Sequence, residues 1–176
     1  SPAVWAAPPR GGGQTHTYEK VDGLDLKADV YPAPGPGPHP VVMWIHGGAL
    51  IFGHREYIHP LLRALFNDGG FTVVSIDYRL APETKIPAIV NDVEHAYAWL
   101  MRDGPRLFNI DPGRIVVGGD SAGGYLTLTT GFRVRPRPRA LVSCWGYGEI
   151  TGDWYAKPSL FHNQNFEPIS REQALE

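Results

Sequence analysis

The chain predicts an α/β fold: a mostly parallel central sheet with flanking helices, opened by an N-terminal antiparallel hairpin. Three observations carry this. Short all-apolar runs alternate with stretches of helical apolar spacing, which demands right-handed crossovers and a parallel sheet covered by helices. An Asp-Gly pair separates two alternating runs near the start, a strong hairpin signal. Glycine and proline punctuate the joints, with 21 and 17 copies in 176 residues.

Residues 1–14 hold Pro8-Pro9 and three consecutive glycines and read as an irregular lead-in. Thr17–Val21 and Leu24–Tyr31 alternate apolar and polar positions across Asp22-Gly23, the pattern of paired strands. Pro32 to Pro40 holds five prolines and must be a loop. Val41–Ile45 is apolar throughout, as suits a central strand covered on both faces. His59 to Phe66 reads as a helix stopped by Asn67-Asp68-Gly69-Gly70, and Phe71 to Ile76 as a second buried strand. From Pro87 to Met101, apolar residues at Ile89, Val90, Val93, Ala96, Tyr97 and Leu100 recur at helical spacing, with Pro87 in the tolerated first turn. Ile115–Gly118 is a third strand, Tyr125 to about Thr130 a helix, and Ala140–Trp145 a fourth strand. A short helix is expected near Ser170 to Leu175, where Ser170 and Gln173 have capping-box spacing. The expected divisions are 1–16 lead-in, 17–147 core and 148–176 a lid-like or connecting segment.

Composition excludes several classes. Hydrophobic residues are 43% and charged residues 19% of the chain, an ordinary globular balance. The net charge is −2 without a basic block, so no nucleic-acid partner is expected; Arg133, Arg135, Arg137 and Arg139, alternating with other residues, read as a solvated loop. No apolar run reaches the ~18–20 residues of a membrane span, and Ser1 to Arg10 has no signal-peptide pattern. A soluble chain with a cytoplasmic default is the expectation. Cys144 is the one cysteine, expected as a buried inert thiol.

Two segments carry chemistry. Gly119-Asp120-Ser121-Ala122-Gly123 fits G-x-S-x-G directly between a buried strand and a helix. The chain must reverse so sharply there that the serine is strained, and side chains at the flanking glycines would collide with neighbours. The turn lifts the Ser121 hydroxyl above the sheet and aims the Ala122 N–H, at a helix N-terminus, at a developing negative charge. Asp120 and the two glycines support it. His46-Gly47-Gly48-Ala49 ends the first central strand. Its small residues let main-chain N–H groups approach a tetrahedral oxyanion, with Gly48 and Ala49 as donors, Gly47 as the bend and His46 as a brace.

Together with Asp77-Tyr78-Arg79-Leu80-Ala81-Pro82-Glu83, these segments resemble the hormone-sensitive-lipase-like branch of the α/β-hydrolases, over about Thr17 to Tyr147. The resemblance implies hydrolysis of a small-molecule carboxylic ester without cofactor or metal. It departs from the family in Ala49, where a third glycine is usual. It departs again after Trp145, because the family's triad order is Ser, then Asp or Glu, then His. The carboxylates after Ser121 are Glu149, Asp153, Glu167, Glu172 and Glu176, and the one histidine is His162; none has a strand-then-loop context. The expectation is a nucleophile-bearing portion without its acid and base, nearly inactive alone, its sheet edge open to aggregation or homo-oligomers. The alternative is a non-catalytic small-molecule-binding protein on the same scaffold.

Overall fold

The computed structural model describes residues 13–157, 159–165, 167, 170, 172 and 173. These fall into two compact units, divided after Gly146. The first holds a six-stranded mixed sheet in the order β1-β2-β4-β3-β5-β6. Its strands are β1 (Gln14–Val21), β2 (Leu24–Tyr31), β3 (His39–Ile45), β4 (Thr72–Ile76), β5 (Ile110–Asp120) and β6 (Ala140–Cys144). β4, β3, β5 and β6 run parallel, while β2 pairs antiparallel with both β1 and β4. The sheet is therefore parallel where the apolar runs lie and antiparallel at the hairpin, as the sequence predicts.

The hairpin turns at Asp22 and Gly23, both with positive φ (50° and 83°), the geometry a two-residue loop between right-twisted strands needs. In β3 the alternation of side chains sorts the core into two layers. Val41, Met43 and Ile45 join Ile89, Val93, Leu100 and Leu126 on one face. Val42 and Trp44 join Val73 and Ile58 on the other, with Leu62 and Phe66 packed against them. The strand is thus covered on both sides, which is why it carries no polar position between Val41 and Ile45.

Helices α1 (Pro60–Asp68), α2 (Ile86–Phe108) and α3 (Ala122–Arg133) connect the strands. His59 caps α1 by accepting from the Leu61 N–H through its side chain, which moves the expected helix start by one residue. Other boundaries also differ from the sequence reading. β3 begins inside the proline-rich segment, because the His39 N–H donates to the Asn109 carbonyl at 2.9 Å. α2 continues past Met101 through Gly104 and Pro105 to Phe108. Burial of Phe108 and Ile110 (7% and 2% exposed) outweighs these two breakers, and a Cβ on Gly104 would meet the Ile110 side chain at 2.5 Å. α3 starts at Ala122, three residues early, so the serine itself occupies the N-cap position.

Two ion-pair systems tie the segment after β4 to its surroundings. Asp92 on α2 is fully buried and takes a forked pair from Arg79, with Arg79 NH2 at 2.6 Å and its backbone N–H at 3.0 Å. Removing one partner of such a pair leaves an uncompensated buried charge, at a cost of roughly 3–5 kcal/mol. Arg55, in the 3-10 turn Arg55–Tyr57, bridges Asp29 on β2 (2.9 Å) and Asp77 (3.0 Å).

The second unit contains α4 (Asp153–Ala156) and α5 (Leu160–Asn165). Glu149 accepts from the Trp154 indole at 2.7 Å and from Thr151, which hold its carboxyl below its ordinary range. The Ser170–Gln173 capping pair forms reciprocally: Ser170 N–H donates to Gln173 Oε1 at 2.7 Å and Gln173 N–H to Ser170 Oγ at 3.2 Å. The rest of the helix expected there, like the lead-in before residue 13, lies outside the described residues. No helix among the described residues is long and apolar enough to cross a membrane.

Candidate active site

Ser121 stands between β5 and α3 with φ 52° and ψ −117°. A non-glycine residue in this region is strained by of order 1–3 kcal/mol and persists only when its surroundings fix it. They do so on both sides. The Ser121 N–H donates to the Cys144 carbonyl on β6 at 2.9 Å, and the Ser121 carbonyl accepts from Tyr125 at 3.1 Å. The flanking glycines leave no room for a side chain. A Cβ on Gly123 would lie 2.0 Å from the Ile45 carbonyl oxygen, and one on Gly119 would lie 2.5 Å from the Gly123 carbonyl oxygen. The elbow is thus wedged between the end of β3 and the start of α3.

The second segment meets it from β3. A Cβ on Gly47 would lie 3.2 Å from the Ser121 Cβ and 2.8 Å from an Asp120 carboxylate oxygen. Gly47 therefore places the loop against the serine. Beyond it, Gly48, Ala49 and Leu50 take positive φ in succession (118°, 54° and 66°). The Gly48 carbonyl closes this turn by accepting from Ile51 (2.9 Å) and Phe52 (3.0 Å). No hydrogen bond from the Gly48 or Ala49 N–H is found among the described residues. The first N–H groups of α3, Ala122 included, lack intrahelical acceptors, as at any helix start. The Gly47 loop and the start of α3 thus both lie beside Ser121. Ala49 is exposed, while Leu50 is buried in the core (8% exposed).

His46 sits behind this turn at 1% exposure. Its Nδ1 donates to the Gly47 carbonyl at 2.7 Å, which leaves Nε2 as the acceptor in the neutral ring. Nε2 is buried without a partner among the described residues. Burial holds the imidazole's pKa below its ordinary value, so the ring stays neutral. A buried neutral ring bonded to its own loop fits a brace better than an acid or base. Gly53 (φ 109°) makes room for it, since a Cβ there would sit 2.5 Å from His46 Nδ1.

The sequence alone assigns no role to the 77–83 segment, yet two of its groups grip the loop. The Tyr78 hydroxyl donates to the His46 carbonyl at 2.9 Å, and its ring stacks on the imidazole at 4.3 Å and 12°. The Ala81 N–H donates to the Leu50 carbonyl at 2.8 Å. An isolated tyrosine between two charged residues carries no pattern that marks such a contact, and Gly53 stands alone outside any motif.

The Ser121 hydroxyl has no hydrogen-bond partner among the described residues. His59 caps α1, and His95 pairs with Glu19 at 2.8 Å, far along the chain from the elbow. α5 carries His162, whose side chain lies outside the described residues. Cys144 is half-buried rather than buried; its carbonyl holds Ser121, a main-chain role the sequence reading did not anticipate.

Comparisons with known proteins point to one fold family. The model of the alpha/beta hydrolase fold family matches residues 42–169. The chain is 41% identical over 166 residues to the non-reducing polyketide synthase pkbA of Emericella nidulans, covering 87% of this chain and 7% of the synthase. It is 37% identical over 115 residues to the carboxylic ester hydrolase LipN of Mycobacterium tuberculosis, covering 65% of this chain and 31% of that protein. Among solved structures, an arylesterase superposes with a TM-score of 0.70 at 33% identity, over 83% of this chain and 50% of the other. A bacterial heroin esterase superposes with a TM-score of 0.59 at 38% identity, over 66% and 38%. The chain spans about 6–7% of the length of the polyketide synthases it matches.

Proposed function

The chain belongs to the alpha/beta hydrolase fold family, on its hormone-sensitive-lipase-like esterase side, and from that premise we propose that it is the nucleophile-bearing part of a serine hydrolase acting on small carboxylic esters. The observation that carries this reading is Ser121, held at φ 52° on a wedge of glycines with the Gly47–Ala49 loop against it. A strained nucleophile turn is costly, and a protein that only binds small molecules has no use for it.

In the proposed reaction the Ser121 Oγ bonds to the ester carbonyl carbon. Its proton passes to a general base, and the carbonyl π pair moves onto oxygen. The Gly48, Ala49 and Ala122 N–H groups receive that oxygen, each donor worth roughly 2.7–4 kcal/mol in the transition state. Collapse of the adduct expels the alcohol, protonated by the base, and leaves an acyl-serine. Water then repeats the sequence and releases the acid. His46 braces, Asp120 and the glycines shape the turn, and the acid and base come from residues other than those described around Ser121. Ala49 keeps the N–H that a glycine would offer, so the loop retains its donors.

A second reading has the same chemistry on another acyl donor. It is favoured by the 41% identity to a polyketide synthase over most of this chain. On that reading Ser121 takes up an acyl chain during polyketide assembly, and the leaving group is a thiol or an alcohol of the assembly. One experiment separates the readings: turnover of p-nitrophenyl acetate and of a matched acyl thioester by the full-length natural product, with Ser121→Ala as control. The ester reading predicts faster oxo-ester turnover that falls by about 10⁴-fold or more in Ser121→Ala. Preference for the thioester moves the assignment to the second reading, and turnover unchanged by Ser121→Ala excludes both.

A further inference from the structure

The loop that faces Ser121 holds three successive residues at positive φ, two of them not glycine. Left-handed backbone at Ala49 and Leu50 is unfavourable, so something outside the loop must hold it. The contacts at its two ends come from one place. At the near end the Tyr78 hydroxyl donates to the His46 carbonyl (2.9 Å), and at the far end the Ala81 N–H donates to the Leu50 carbonyl (2.8 Å). The His46 carbonyl is also one of the two carbonyls against which the elbow packs, since a Cβ on Gly123 would lie 2.0 Å from the Ile45 oxygen and 2.6 Å from the His46 oxygen. The His46 oxygen is thus one contact between the loop and the nucleophile turn, and Tyr78 is the side chain that holds it. The same tyrosine lies parallel to the His46 ring, whose Nδ1 fixes the Gly47 carbonyl. Tyr78 is buried (4% exposed), and burial pushes its phenol well above the ordinary range, so it remains a donor at any working pH.

We propose that Tyr78 is a positioning residue for transition-state stabilisation, holding the 46–50 loop at the distance from Ser121 at which its N–H groups meet the oxyanion; this rests on the serine-hydrolase reading above. Tyr78 is buried and acts through the His46 carbonyl. Its hydroxyl is the part that matters for rate, and its ring is the part that matters for packing.

The test is Tyr78→Phe, which removes the hydroxyl and keeps the stack, beside Tyr78→Leu, which removes both, in the full-length natural product. Active sites are counted by fluorophosphonate titration, so misfolded protein does not enter kcat. For Tyr78→Phe the expected result is a kcat about tenfold lower with KM within about twofold, below the ~10²–10³-fold loss of a whole oxyanion donor. Affinity for a trifluoromethyl ketone, which forms a tetrahedral oxyanion adduct on serine, should fall by the same factor, and Tyr78→Leu should fall further in both. A Tyr78→Phe enzyme with unchanged kcat and unchanged ketone affinity, whatever its melting temperature, would overturn the proposal while leaving the hydrolase reading intact. Absence of Ser121-dependent turnover in the parent enzyme would overturn both.

Discussion

At Gly123 the Ile45 carbonyl oxygen stands 2.0 Å from where a Cβ would be, and the His46 carbonyl oxygen 2.6 Å. Both obstacles are main chain and cannot rotate away. Gly123→Ala must therefore push α3 off the end of β3, an overpacking change of roughly 1–3 kcal/mol or more. At Gly148 the same added methyl meets nothing within 4 Å, and Gly148→Ala is expected to stay within about 0.5 kcal/mol. Denaturant titration of the two variants measures the difference; equal midpoints would mean that the elbow is not wedged as described. The sequence makes this glycine legible, because G-x-S-x-G after an apolar strand announces both the turn and the crowding. It does not announce Gly53, where the need for glycine arises from a histidine ring seven residues earlier, or Tyr78, whose partner is a carbonyl 32 residues away.

Among the elements, β6 is the outer strand beside β5, and its side chains are poorly covered. Leu141 and Val142 are 38% and 41% exposed, and Trp145, just beyond the strand, is 80% exposed. An outer strand with apolar, uncharged residues is a template for pairing with another chain. The 176-residue chain is expected to self-associate through this edge, with a mass rising with concentration in analytical ultracentrifugation. Val142→Lys should shift it towards monomer. A monomer at every concentration, or association untouched by Val142→Lys, would show that β6 is not the contact. The strands themselves are readable from apolar runs because β3, β4 and β5 are buried on both faces. Their ends are less so. β5 starts five residues before its apolar run, and α2 crosses Gly104-Pro105, because register with β3 and packing on Ile110 override local propensity.

For the molecule as a whole, the class of fold is written in the alternation of elements, and the candidate nucleophile in the one turn where strand, glycine, serine and helix coincide. The geometry of the facing loop is not written there. His46 through Leu50 gives no local pattern for three positive φ values, and the brace from residues 77–83 depends on how β4 lies beside β3. In the proposed function Ser121 is a reactive nucleophile set against main-chain N–H donors. Covalent labelling of the full-length natural product with a fluorophosphonate, followed by peptide mapping, tests it most directly. One adduct per chain in this region is expected, on Ser121, and it is lost in Ser121→Ala. An unlabelled Ser121 in folded protein that still turns over esters would place the nucleophile elsewhere and contradict it.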